Sequence, residues 1–459
     1  MTVYTSPSLD KKNHPPKVGI VSLGCPKALV DVERILNHLR AEGYVTVQDY
    51  QSADLVLVNS CGFIDRAKQE TLSSIEEAIE QNGRVIVTGC MGADPQSILK
   101  AHPKVLAVTG PNDVDKAMKA IHEFLPPLHD AKFDLVPRQG VKLTPPHYAY
   151  IKLAEGCNNQ CSFCIIPHFR GKMVSRDAAK LLYEAERLVD SGVKELLLVA
   201  QDLAAYGLDI QYRPSTYRGE EVTAHIIDLA THMGKLDAWV RLHYLYPYPH
   251  IDRLIPLMNE GLILPYLDIP FQHAVPKILK SMRRPANQDK LLKRIETWRQ
   301  QCPDITIRST FIIGFPGETD EDFHQLLNWL EVARLNRVGA FMFEAVAGAP
   351  ASDFANQIPE TLKAERLAQF MEKQESISAQ ILKEKHNQQV AAIIDEITVE
   401  GKMIARTSAD APEIDGNIFL DNPLHQDIAI GDVVVAKVTH SDAHDLYGHI
   451  LSPELYEAA

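Results

Sequence analysis

The chain has 459 residues, of which 45% are hydrophobic and 23% charged, a soluble composition too long for one ordinary core. Its formal net charge of −13 argues against a broad electrostatic grip on nucleic acid and would suit a basic protein partner. No apolar run reaches the ~18 residues of a membrane span, and MTVYTSPSLDKKNHPPK lacks the apolar core of a secretion signal. That stretch reads as a short disordered lead, and the chain as cytoplasmic. Seven cysteines, an odd and clustered set, point in a reducing compartment to metal or redox chemistry rather than disulfides.

Three short apolar runs come first: KVGIVSLGC, DLVLVNSCG and RVIVTGC. Amphipathic patterns lie between them, ALVDVERILNHLRAEG and IDRAKQETLSSIEEAIEQNG. The alternation predicts β-α units on a doubly wound parallel sheet over residues 17–126. The runs end at Cys25, Cys61 and Cys90. Ligands of such sheets bind beyond the carboxyl ends of the strands, so three cysteines far apart in sequence would meet at one edge. Three merely buried thiols are the plainer alternative. The repeated position favours a shared metal or cluster site.

A stretch with Pro126, Pro127, Pro137, Pro145 and Pro146 then suits a domain boundary. From 143 to 380, strand-like runs recur: YAYIKLAEGC, ELLLVAQD, WVRLHYLYP, LPYLDIPFQHA, TIRSTFIIGFPGE and RVGAFMFE. Amphipathic stretches separate them. Six β-α units fall short of the ~250 residues usual for a closed eight-fold barrel, so an open, partial barrel is expected, active at the carboxyl ends of its strands. A long helical pattern over 362–385 leads into short β-like pieces, which predict a small OB-like barrel over 381–450. From Gln380 to Ala459 there are five Lys or Arg and fourteen Asp or Glu.

The first strand of the partial barrel stops at EGCNNQCSFC, with Cys157, Cys161 and Cys164 spaced C-x3-C-x2-C. A structural zinc usually takes four ligands, and the closest histidine, His168, lies past a proline. A four-iron cluster held by three thiolates leaves one iron open to a substrate or cofactor.

This spacing, after the first strand of a β-α barrel, resembles that of the radical S-adenosylmethionine (SAM) enzymes, and Phe163 matches their usual aromatic position. The resemblance implies that the open iron chelates SAM and that its reductive cleavage yields a 5′-deoxyadenosyl radical. With the Cys25/Cys61/Cys90 domain and a C-terminal TRAM-type barrel, nearly the whole chain looks like the methylthiotransferases, which insert a methylthio group at a C–H bond. That family implies two 4Fe-4S clusters, an auxiliary one on Cys25, Cys61 and Cys90 and a SAM-binding one on Cys157, Cys161 and Cys164. One SAM would serve as methyl donor and another as radical source. SLGCPKALVDVERI, VNSCGFIDRA, RLHYLYPYPH and DAPEIDG resemble the branch that modifies an aspartate β-carbon on small-subunit ribosomal protein twelve. Ala28 departs from that branch, which usually has Asn there. The other branch modifies tRNA adenosine and typically reads Gly-Cys-Gln-Met-Asn at the first cysteine; here Pro26 and Lys27 follow Cys25. The acidic tail also disfavours tRNA. The reading further implies an external electron donor and a sulfur source. A non-catalytic iron–sulfur electron carrier is the alternative from another class.

Gln201, Asp202, Arg308 and GFPGE lie near the expected active face, and family resemblance makes Phe163, Gln201 and Arg308 candidate SAM contacts. Asp202 reads equally as a helix cap and FPGE as a turn. Arg170 and Lys172 suit a substrate or cluster contact, or a solvated loop. His243 and His273 read as buried, hydrogen-bonded histidines, and YLYPYPH as core and loop packing.

Overall fold

The computed structural model describes residues 14–285, 287–423 and 425–452. The disordered N-terminal lead read from the sequence falls mostly outside them. The chain divides between Val141 and Lys142 into two units.

The first unit runs β1 (Lys17–Ser22), α1 (Pro26–Ala41), β2 (Val45–Val47), β3 (Leu55–Ser60), α2 (Asp65–Gln81), β4 (Val85–Gly89), α3 (Pro95–Ala101), β5 (Ala107–Val108) and α4 (Val114–Phe124). The sheet is parallel, in the order β2-β1-β3-β4-β5. Strand β3 shows why it is wound on both faces. Leu55 and Leu57 pack beneath α1 and α4, whereas Val56 and Val58 pack beneath α2 and α3. All four are fully buried, each burial contributing about 1.5–3 kcal/mol. Strands β2 and β5, of three and two residues, are too short to leave a pattern in the sequence.

The second unit opens with β6 (Tyr148–Lys152), α5 (Ala178–Asp190), β7 (Glu195–Val199), α6 (Ile226–Met233), β8 (Trp239–Leu242), α7 (Leu254–Asn259), β9 (Tyr266–Asp268), α8 (Gln288–Gln301), β10 (Thr306–Ile313), α9 (Asp320–Ala333), β11 (Arg337–Met342) and α10 (Glu360–Lys383). Strands β6 to β8 and β9 to β11 pair in chain order. Backbone bonds from Leu264 to Val240 and from Leu245 to Asp268 join the two sets into one six-stranded wall. Strands β6 and β11 do not pair with each other, so the barrel stays open. Alternation divides its faces. Ala149, Ile151, Leu196, Leu198, Val240, Leu242, Leu267 and Ile307 pack beneath the helices. The alternate residues Tyr150, Lys152, Glu195, Arg241, Asp268 and Arg308 line the inside.

The C-terminal barrel consists of β12 (Gln389–Ile397), β13 (Met403–Thr407), β14 (Ile418–Asp421), β15 (Val433–Ser441) and β16 (Leu446–Ile450). It closes in the order β12-β13-β14-β16-β15, with β14 and β16 parallel. Strand β16, LYGHI, was not read as a strand, because glycine and histidine interrupt its apolar alternation. This barrel covers the amino ends of the core strands. Arg406 Nη1 lies 2.7 Å from Glu195 Oε2, and His147 Nε2 lies 2.7 Å from Asp395 Oδ1. The loop between β13 and β14 joins at the same amino ends: Tyr148, the first residue of β6, donates to Glu413 at 2.8 Å, and Tyr266, the first of β9, to Asp415 at 2.6 Å. Among the described residues, no helix is long and apolar enough to cross a membrane.

Candidate functional site

In the first unit the three cysteines follow three neighbouring strands. Cys25 caps α1, whose first residue Pro26 needs no hydrogen-bond acceptor there. Cys61 follows β3, and Cys90 opens a short 3-10 turn after β4. All three therefore stand at the carboxyl edge of the sheet, beside the point where the strand order reverses. Gly24 has φ +104°, a backbone conformation that favours glycine, and its turn lies against Cys61. Thr71 pins the Cys61 turn to α2, accepting from its N–H at 3.1 Å and donating to its carbonyl at 2.9 Å. None of the cysteines is in a disulfide.

In the second unit, the two-residue strand Ala154–Glu155 pairs with Val174–Ser175 and brackets the loop that carries Cys157, Cys161 and Cys164. Each thiol faces a donor. The Asn159 N–H lies 3.4 Å from Cys157 Sγ, the Ile166 N–H 3.5 Å from Cys164 Sγ, and Arg284 Nη1 4.0 Å from Cys161 Sγ. The loop is tied down from outside as well. Ser162 N and Oγ donate to the carbonyls of Met282 and Ser281, and its own carbonyl accepts from Ala351. Asp202 accepts from Asn159 at 2.7 Å and from Tyr248 at 3.1 Å.

Burial pushes the Cys157 thiol up, and that of Cys164 up to about 12. Left alone these thiols hold their protons, whereas a bound metal turns them into thiolates. Among the described residues, no three Cys, His, Asp or Glu side chains close around a point as a single ion would need. A four-iron cluster holds its thiolates further apart, because each binds a separate iron. Around the same carboxyl ends, Gln201 Oε1, Gln272 Oε1 and Arg284 Nε are buried without partners. Buried polar atoms are normally satisfied, so this set fits a polar cofactor seated beside the loop.

Phe163 packs partly buried against an apolar cluster that includes Ile312, Phe315 and Phe343. Gln201 Nε2 donates to Glu155 Oε1 at 3.3 Å, and Glu155 also pairs with Lys152 at 2.6 Å and Arg170 at 2.8 Å. Arg170 is therefore a buried ion-pair member and not a solvated loop charge. Arg308 stands apart from the other two candidate SAM contacts. It lies in the first half of β10, 3.0 Å from Asp268 and 3.3 Å from Asp415, tied to the C-terminal barrel rather than to the cysteine loop. Two carboxylates take its Nε and Nη1, one of them 107 residues away. His243 faces Asp268 and His273 faces Glu318, and both are buried. Sequence reasoning missed Arg284, whose guanidinium also lies 4.0 Å over the Tyr246 ring; the only signal was a lone SMRRP turn. Clefts of about 700 and 540 Å³ lie against the C-terminal barrel, away from the cysteine loop.

Gly156 makes this geometry sensitive. It has φ +75°, and a Cβ there would strike the carbonyls of Gly171 and Lys172. Gly156→Ala is expected to abolish iron uptake by this loop, read as iron content in a chain that also carries Cys25→Ala, Cys61→Ala and Cys90→Ala. Retention of about four irons per chain would contradict it.

An open six-stranded β/α barrel with C-x3-C-x2-C after its first strand defines a radical SAM enzyme, which holds SAM at an iron–sulfur cluster. The Radical SAM superfamily model matches residues 151–330, the uncharacterised family UPF0004 residues 17–110, and the TRAM domain residues 388–451. Two relatives, from Paramagnetospirillum magneticum and Rhodospirillum rubrum, are each 56% identical over 95% of this chain and 97% and 98% of theirs. Another, from Methylorubrum extorquens, is 55% identical over 98% of this chain and 99% of its own. All three are ribosomal protein uS12 methylthiotransferases named RimO. The chain belongs to the RimO family. In fold it also resembles the radical SAM methyltransferase TsrM of Kitasatospora setae, solved with cobalamin and a 4Fe-4S cluster. That likeness has a TM-score of 0.52 at 14% identity, covering 72% of this chain and 75% of that one.

Proposed function

We propose that this chain adds a methylthio group to the β-carbon of an aspartate on ribosomal protein uS12, with one SAM as methyl donor and another as radical source. The observation that carries this reading is the pair of three-cysteine edges, one in each unit, both at the carboxyl ends of parallel strands. The functional segments would be 17–126, 143–380 and 381–450.

When bound, a reduced four-iron cluster on Cys157, Cys161 and Cys164 supplies the electron that cleaves SAM, and a second on Cys25, Cys61 and Cys90 carries the transferred sulfur. The protein's part is to hold and orient. Asn159, Ile166 and Arg284 direct N–H groups at the three sulfurs and so stabilise thiolate charge. Gln201, Gln272 and Arg284 present their unfilled polar atoms to SAM. Phe163 and its apolar neighbours keep water from that side of the loop. The reaction also calls for an external electron donor and a sulfur source.

The tail, with fourteen acidic and five basic residues from Gln380 to Ala459, suits a basic ribosomal protein better than a phosphate backbone. The test offers uS12 and bulk tRNA together to the cluster-loaded chain, with SAM and a reductant, under anaerobic conditions. A methylthio mass gain on one uS12 aspartate is expected. A gain on adenosine instead would overturn the substrate and leave the two-cluster chemistry standing.

A further inference from the structure

Arg308 joins two carboxylates that belong to different parts of the fold. Its Nε lies 3.3 Å from Asp415 Oδ1, in the loop between β13 and β14, and its Nη1 lies 3.0 Å from Asp268 Oδ1, at the end of β9. Asp415 is itself fixed, accepting from Tyr266 at 2.6 Å and from the Ala411 N–H at 3.0 Å. Asp268 is completely buried. Burial pushes its carboxyl up, but the bond from His243 and the charge of Arg308 outweigh that and hold it well below the usual carboxylate range. As an anion it can only accept. Its Oδ2 accordingly takes the Tyr244 N–H at 3.1 Å and His243 Nδ1 at 3.2 Å.

His243 and Tyr244 directly follow β8, at the same carboxyl ends that carry the cysteine loop. Tyr244 has φ +60°, a conformation that a bulky residue adopts only where its surroundings impose it, and one that concentrates at functional sites. The Leu203 N–H holds the Tyr244 carbonyl at 3.1 Å, so this backbone is clamped on both sides. The Tyr244 ring is half-buried, and its phenol acts electrostatically on Tyr150 inside the barrel. His243 Nε2 is buried without a partner, as a group that an arriving ligand completes.

We propose that Asp415 and Arg308 are positioning residues. Through Asp268 they set His243 and Tyr244 at the catalytic mouth, where these two meet the polypeptide substrate rather than SAM. None of the relay bonds given above ends on the cysteine loop, and Gln201, Gln272 and Arg284 already face the cofactor side. The C-terminal barrel then acts on the substrate pocket from the amino ends of the strands, through Arg308 and Asp268, without lining it. The identity of that substrate rests on the function proposed above.

The test uses the cluster-loaded Asp415→Asn chain. Losing the carboxylate charge loosens Arg308, so amide exchange at Tyr244 should quicken about tenfold or more. Substrate-free SAM cleavage should stay within about twofold of the parent. Methylthio product per 5′-deoxyadenosine should fall about tenfold or more, with a raised KM for uS12, since misplacement of about 1 Å costs up to about a hundredfold. Asp415→Glu should restore part of both. Unchanged exchange overturns the relay whatever the product ratio, and equal loss of cleavage and transfer overturns its assignment to the polypeptide substrate. Should Asp415→Asn not fold, Tyr244→Ala in the same assay must lower the product ratio, and an unchanged ratio overturns the proposal. The exchange measurement needs no substrate, so the relay stands or falls on it even where uS12 proves not to be modified.

Discussion

Alanine at Cys157, Cys161 or Cys164 is expected to abolish SAM cleavage, whereas alanine at Cys25 leaves cleavage intact and stops methylthio transfer. The three loop cysteines are the only ones on the core barrel's catalytic face. They are embedded in a loop fixed by Ser162, Asp202 and Tyr248, so removal of one sulfur leaves no substitute thiol of this unit on that face. Cys302, the remaining cysteine of that unit, is buried after α8 at the amino end of β10. Without a third thiolate the open-iron arrangement fails, and 5′-deoxyadenosine should drop below detection. Cys25 belongs to a separate edge in a separate unit, where Thr71 anchors the neighbouring Cys61 turn. Chromatography of 5′-deoxyadenosine and mass spectrometry of the acceptor, run on one reaction, separate the two roles. Loss of cleavage in the Cys25 variant would contradict the division.

Arg406→Ala is expected to be among the most destabilising single changes in the second unit, by about 3–5 kcal/mol. Its side chain is 2% exposed and lies between two carboxylates. Nε is 2.6 Å from Asp395 Oδ2, and Nη1 is 2.7 Å from Glu195 Oε2. Glu195 is wholly buried and shared with Arg241, whose Nε is 2.7 Å from its other oxygen. Burial pushes Glu195 up, but Arg241 and Arg406 together bring it below its ordinary value, so it stays charged. Truncating Arg406 leaves half of a buried carboxylate unpaired and also frees Asp395, which was holding His147. The large cost comes from that stranded charge; the intact pairs themselves contribute little beyond what apolar packing would. Urea unfolding followed at the tryptophans, all three of which lie in this unit, measures it. A loss below about 1 kcal/mol would mean that water reaches Glu195 once the arginine is gone.

What the sequence made legible follows from periodicity. Leu55 to Val58 read as a strand because they are apolar on both faces, and both faces are covered. Cys25, Cys61 and Cys90 read as one edge because strand order in a doubly wound sheet places the ends of β1, β3 and β4 side by side. Ion pairs between distant residues left no such trace. Arg308 is the one charged residue of its strand, and nothing local says that Asp415 will pair with it. Arg284 was missed for the same reason, since its partner Cys161 is 123 residues earlier. Short strands such as β2 and β5, of three and two residues, owe their place to the neighbours they pair with. The charge of the tail was visible in composition. That its Glu413 and Asp415 turn inward to Tyr148 and Tyr266, instead of outward to a partner, was not.

The most direct test of the account is an isotope transfer. Ribosomal protein uS12 carrying deuterium at the β-carbons of aspartate is incubated anaerobically with the cluster-loaded chain, SAM and a reductant. The account predicts a methylthio gain on one aspartate and one deuterium in the 5′-deoxyadenosine formed alongside it. A methylthio gain without deuterium transfer, or deuterium-free 5′-deoxyadenosine with uS12 unmodified, would contradict it.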